Sequence, residues 1–142
     1  MIRKTSETRA LAGNIVNAYS ESQNSTYSCD YLNGTLLWTN PSPTSSFASQ
    51  NITLSSDDYD VLEIFFSVTN SSIQIKSTKG LKGQNLILDF YDGYGSKGAI
   101  RPINYTNDTT LAVQNSFYNS TSGSANYCIP LYVIGYKTGI LN

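Results

Sequence analysis

Histidine is missing altogether. That removes the Ser-His-Asp and Cys-His nucleophile arrangements and most zinc sites in one step. Charge is scarce as well: Asp, Glu, Lys and Arg make up 13% of the chain, against about 25% in an average domain. The formal net charge is −1, so there is no basic stripe to hold a phosphate backbone, and no nucleic-acid partner is expected. No apolar run approaches the roughly 18 residues of a membrane-spanning helix, and no membrane partner is expected. Arg3, Lys4 and Arg9 lie near the start, but the apolar stretch of a secretory signal does not follow them.

Cysteine is limited to Cys29 and Cys128. They fall on the first and last predicted strands. A bridge between them would close a long loop and add roughly 4–5 kcal/mol in the chain-entropy picture. Nothing in the sequence indicates an oxidising destination, so two free, buried thiols acting as small hydrophobes are the expectation.

What fills the chain instead is Ser, Thr and Asn together with 11 Tyr. The polar three favour turns, edges and solvated strands over helix interiors. The aromatic and β-branched content separates the chain from disordered sequence. At 142 residues it makes one domain with a short arm, able to bury about two thirds of its unfolded surface without a staple.

The apolar pattern gives the element order. Leu11, Ile15 and Tyr19 stand at i, i+4 and i+8, the one helical candidate, spanning Thr5 to Tyr19. Gly13 weakens it, an extended arm is the alternative, and so short a stripe must pack on something to stay folded. Ser20 to Thr26 is a polar linker, so residues 1–26 form an arm and 27–142 a head. Tyr27–Leu32 and Thr35–Thr39 flank Asn33-Gly34 as a hairpin. Pro41 and Pro43 end it. Val61 to Thr69 is too continuously apolar for a half-exposed strand and reads as central. Ile73 and Ile75 alternate with polar residues, apolar inward. Gly80 to Gly83 is a turn. Leu86 to Tyr91, Ile100 to Thr106, Leu111 to Val113 and Phe117-Tyr118 follow. Asn119 to Ala125 is a polar tip, and Tyr127 to Lys137 is a buried strand that closes the fold. Leu131 and Val133 should face inward there, and the strand should pair with one near the N-terminus. Strands at spacings of about 8–12 residues predict an all-β, antiparallel, jelly-roll-like sandwich.

Chemistry-bearing clusters are few. Asp57, Asp58 and Asp60 offer hard oxygens of the kind calcium takes, but no Gly-bearing loop with a distant Glu completes a calcium hand, and a solvated turn is the reading. Asp89 and Asp92 form a carboxylate pair of a kind any β-protein offers. Gly93 to Gly98 lacks the following helix of a phosphate loop and reads as an exposed tip. Tyr91, Asp92 and Tyr94 combine aromatic faces with a carboxylate, a combination suited to glycan or receptor contact, with plain sheet packing as the alternative for Tyr91. Seven Asn-x-Ser/Thr triplets follow from the composition. No catalytic residue, metal or cofactor is expected.

Three stretches, YSCDYLNG (27–34), ITLSSDDYD (52–60) and YCIPLYVIGYK (127–137), resemble the small C-terminal β-domain of bacteriophage minor structural proteins, tail fibres and related appendages. The resemblance covers roughly Ala18 to Gly139. It implies a non-enzymatic virion module, often a homotrimer, which contacts other virion proteins of capsid, neck or tail. Leu11, Ile15 and Tyr19 would then lie on the attachment arm, docking against one another or a particle partner. A long fibre shaft, usual in that family, has no counterpart here. A host-surface glycan is the further partner such heads imply, and a carbohydrate-binding head is the second reading.

Overall fold

In the computed structural model the chain divides into two units, Met1–Gly34 and Thr35–Asn142. The structure describes residues 34–71, 74–91, 98–118 and 121–141. The arm, with Leu11, Ile15 and Tyr19, the first predicted strand with Cys29, and Asp92 and Tyr94 lie outside the described residues.

The described residues are all-β. Their strands are β1 (Thr35–Thr39), β2 (Gln50–Thr53), β3 (Val61–Thr69), β4 (Ile75–Leu81), β5 (Leu86–Tyr91), β6 (Gly98–Asn107), β7 (Thr110–Val113), β8 (Ser116–Tyr118), β9 (Thr121–Ser124) and β10 (Tyr127–Tyr136). They form two antiparallel sheets packed as a sandwich. One has the order β1-β10-β3-β4; the other runs β2-β7-β6-β8-β9, with β5 on β6. The chain passes between sheets at β1/β2, β2/β3, β4/β5 and β9/β10. β7 and β8 succeed each other along one flank of β6, and the Gln114 amide between them still donates to the Pro102 carbonyl at 3.0 Å.

β3 and β10 are central because their sequences can be covered on both faces. Leu62, Ile64 and Phe66 enter the core between the sheets. On the opposite face Phe65 stacks on Tyr132 at 4.6 Å, and Glu63 accepts hydrogen bonds from the Ser77 and Tyr136 hydroxyls at 2.7 and 2.6 Å. β10 pairs with β1, the first described strand, along its other edge. Pro130 has no N–H for the ladder, and a proline inside a central strand calls for a bulge. The register against β3 shifts there, between Pro130 and Tyr132, two residues after Cys128 takes a positive φ of 50°. The shift breaks simple alternation. Val133 is fully buried in the core, while Leu131 is buried at the bulge outside the core cluster.

Three local expectations are corrected. Ile75 is 54% exposed rather than inward. Pairing sets it opposite Ser67, and the inward positions of β4 belong to Thr78 and Gly80, opposite Ile64 and Leu62. At Gly80 an added Cβ would stand 2.1 Å from the Leu86 side chain, so a glycine is what lets Leu86 close that edge. Gly80 and Leu81 therefore extend β4, and the turn begins at Lys82. The polar tip contains β9, paired on β8.

Cys128 is free and buried. Burial pushes its thiol up to about 12, with the nearby Arg101 charge opposing that rise. A thiol held protonated in this way is inert toward alkylation and exchange. Dithiothreitol is expected to leave the melting temperature unchanged, and iodoacetamide should modify Cys128 only after unfolding. A reductant-dependent drop of many degrees would be the contrary result.

Candidate functional site

The outer face of the six-stranded sheet carries the first candidate surface. Alternation along β5 turns Leu86 and Leu88 inward and Ile87, Asp89 and Tyr91 outward. On β6, Ala99, Arg101 and Ile103 turn inward and Ile100 outward. Pairing sets Ile87 beside Pro102, Asp89 beside Ile100, and Ile100 beside Phe117 of β8. Tyr91 is 72% exposed, so sheet packing is not its role. It pairs with Gly98. A Cβ there would lie 2.6 Å from the Phe90 carbonyl oxygen and 3.3 Å from the Tyr91 ring, so glycine is what admits the ring over the strand. The result is an apolar outer surface with a flat phenol at one end and the exposed Asp89 carboxylate within it. Of the three residues assigned to glycan or receptor contact, Tyr91 stands on this surface, and Asp92 and Tyr94 lie outside the described residues.

The acidic turn separates into unlike carboxylates. Asp57 and Asp58 are exposed and Asp60 is buried. Lys137 bridges Asp58 at 3.0 Å and reaches Asp60 at 3.9 Å. Among the described residues no group of three or more His, Cys, Asp or Glu is arranged to hold a metal ion. Asp60 instead ties down the C-terminal segment. Its carboxylate accepts from the Thr138 and Gly139 amides at 2.9 and 2.5 Å and from the Thr138 hydroxyl at 3.3 Å. Its own amide donates to the Tyr136 carbonyl at 2.7 Å. Burial alone would raise the Asp60 pKa. The two amides, Lys137 and the Thr138 hydroxyl together outweigh that and hold it below the ordinary 3.8. A carboxyl depressed in the folded state stabilises the fold fully above its unfolded value, and that contribution is lost as pH falls through the folded pKa. Asp60→Asn is therefore expected to lower the melting temperature at neutral pH. It should also flatten the loss of stability as pH falls below the ordinary carboxylate value of 3.8. Parallel pH profiles for the two proteins would refute the assignment.

The residue that sequence reasoning passed over is Arg101. It is fully buried, 0% exposed, in the middle of β6. Its Nε donates to the Cys128 and Tyr127 carbonyls at 2.9 and 3.2 Å, and Nη2 donates to Tyr127 at 2.9 Å. Nη1 donates to the Phe47 and Gln114 carbonyls at 3.0 and 2.6 Å. One guanidinium thus joins the segment before β2, the β7–β8 junction and the start of β10. Burial pulls its pKa down to about 10, Cys128 acting in the opposite sense, and it remains a cation at neutral pH. The available signal was parity: Arg101 shares a face with Ala99 and Ile103.

Comparison with known protein families, with curated proteins and with solved structures finds no match to this chain.

Proposed function

We propose that this chain is a non-enzymatic structural protein of a bacteriophage virion, a small trimeric fibre or appendage head anchored to the particle by its N-terminal arm. The observation that supports this reading is the outer face of β5, β6 and β8. Ile87 and Ile100 are each about half exposed and lie on the same surface as Tyr91 and Phe117, where a solitary sandwich normally carries polar residues. A low-charge surface of this kind suits side-by-side packing of heads. The resemblance of the 27–34, 52–60 and 127–137 stretches to phage appendage domains supplies the setting. Leu11, Ile15 and Tyr19 are the proposed attachment residues, meeting one another or a capsid, neck or tail protein.

Light scattering of the purified chain, beside a variant lacking Met1 to Tyr19 and an Ile87→Lys/Ile100→Lys variant, tests it. Three times the chain mass for the parent, loss of that state in the lysine variant, and failure of the truncated head to join particles are the expected results. A monomeric parent removes the trimer. Normal incorporation of the truncated head removes the arm as anchor.

The second reading, a host-surface carbohydrate-binding head, draws on the exposure of Tyr91, which Asp92 and Tyr94 follow in the sequence. A glycan array in which Tyr91→Ala abolishes a positive signal would favour it.

A further inference from the structure

On the flank where β1 and β2 form the sheet edges, the sandwich opens into a cleft of about 390 Å3, within the range of about 300–1,000 Å3 that small-molecule sites occupy. Trp38, Phe47 and Ile52 supply its apolar part, Gln50, on the Ile52 face of β2, supplies a polar group, and no lining residue is charged. The apolar part is held rigidly. Phe47 is buried, and its ring meets the Trp38 indole edge-on at 6.0 Å and 89°. The Phe47 carbonyl accepts from Arg101, and its amide donates to the Ala125 carbonyl at 2.7 Å. Asn40, in the wall, is fully engaged: Nδ2 donates to the Pro130 carbonyl and Oδ1 accepts from the Ser42 amide, both at 2.8 Å. That pins the Pro41-Ser42 turn against the cleft. Gln50 donates through Nε2 to the Ala48 carbonyl at 3.1 Å, which orients its amide and leaves Oε1 to accept from a ligand.

We infer that this cleft binds a neutral saccharide unit. A sugar ring has an apolar C–H face and a rim of hydroxyls that both donate and accept. Trp38 offers an aromatic surface to the first. Gln50 lies on the same face of β2 as the buried Ile52, and its amide, which also donates and accepts, answers the second. The uncharged lining gives an anionic sugar or a phosphate no counter-charge and would leave it imperfectly desolvated, which selects against both. A polyproline peptide also docks on aromatic grooves, but such grooves read a repeating ridge, whereas a single indole over a buried phenylalanine makes one compact seat. The inference is independent of the assembly reading. It uses other residues, and its readout does not involve particles.

Trp38 is the only tryptophan of the chain, so its fluorescence reports this cleft alone. The full chain is titrated with glucose, galactose, rhamnose and N-acetylglucosamine and their disaccharides, with N-acetylneuraminic acid as the charged comparator and a decaproline peptide as the other ligand class. At least one neutral sugar should shift the emission saturably. The exposed substitution Gln50→Ala should weaken that binding about fivefold, one lost hydrogen bond of ordinary strength, with the melting temperature preserved. Tyr91→Ala should leave it unchanged. Any of four results overturns the inference: no saturable shift with any neutral sugar, equal or tighter binding of N-acetylneuraminic acid or decaproline, unaltered binding by Gln50→Ala, or loss of the signal in Tyr91→Ala.

Discussion

Arg101→Met is expected to cost the β-domain about 4 kcal/mol or more, a large share of the 5–15 kcal/mol that holds a typical domain together. The side chain removed is fully buried, and the carbonyls of Phe47, Gln114, Tyr127 and Cys128 all lose a donor with it. Each buried acceptor left unmatched costs about 1–3 kcal/mol. Methionine fills much of the volume and removes the penalty of desolvating a cation, which offsets part of the sum. What remains should lower the melting temperature by 15 °C or more, at about 4–8 °C per kcal/mol for a domain near 100 residues. Arg101→Lys separates charge from geometry. An ammonium is a point donor and cannot span carbonyls on three sides as the planar fork does, so the lysine variant should lie between parent and methionine variant, nearer the latter. Thermal melts of the three proteins decide the matter. A methionine variant within two or three degrees of the parent would mean that the clamp contributes little.

The clamp also marks where the sequence stops being readable. β3, β5 and β10 are legible to within a residue because local apolar pattern determines them: nine, six and ten residues long, each rich in the side chains that bury well. β9 is not legible, since Thr-Ser-Gly-Ser has no apolar pattern and becomes a strand only because β8 offers it an edge. Ile75 is misread for a related reason. Alternation tells which residues share a face but not which face is inside, and β3 decides that through register. Asp57, Asp58 and Asp60 are alike in sequence and differ only because Thr138 and Gly139 return to one of them. Arg101 gathers carbonyls from 13 to 54 residues away, a convergence no window along the chain reports. On the candidate surface, the exposure of Tyr91 follows from its place at the end of β5 opposite Gly98, where alternation alone left sheet packing open. The seat around Trp38 was not legible, because β1 and β2 belong to different sheets.

Val133→Asp should abolish the folded head. Val133 is 0% exposed, pairs with Ile64 on one side and Trp38 on the other, and lies in the core cluster. Neither strand partner, Ile64 or Trp38, carries a positive charge that could pair with a carboxylate. The aspartate must either remain charged in an apolar surround or be held neutral far above its normal pKa, and each route costs several kcal/mol. Val133→Ala, which only leaves a small cavity, should cost about 2 kcal/mol. The neighbouring Tyr132 provides the control on face assignment. It stacks on Phe65 on the opposite face of the same sheet, and Tyr132→Thr removes an aromatic pair worth about 0.5–1.5 kcal/mol while placing a β-branched residue, which suits a strand, in its position. That variant should fold. Because Val133 adjoins Trp38 across β1 and β10, unfolding is read directly from the red shift of the single indole in urea. The aspartate variant should give the unfolded emission without denaturant, and the threonine variant a native spectrum with a slightly earlier midpoint. A native spectrum for Val133→Asp, or greater damage from Tyr132→Thr, would reverse the assignment of inner and outer faces along β10.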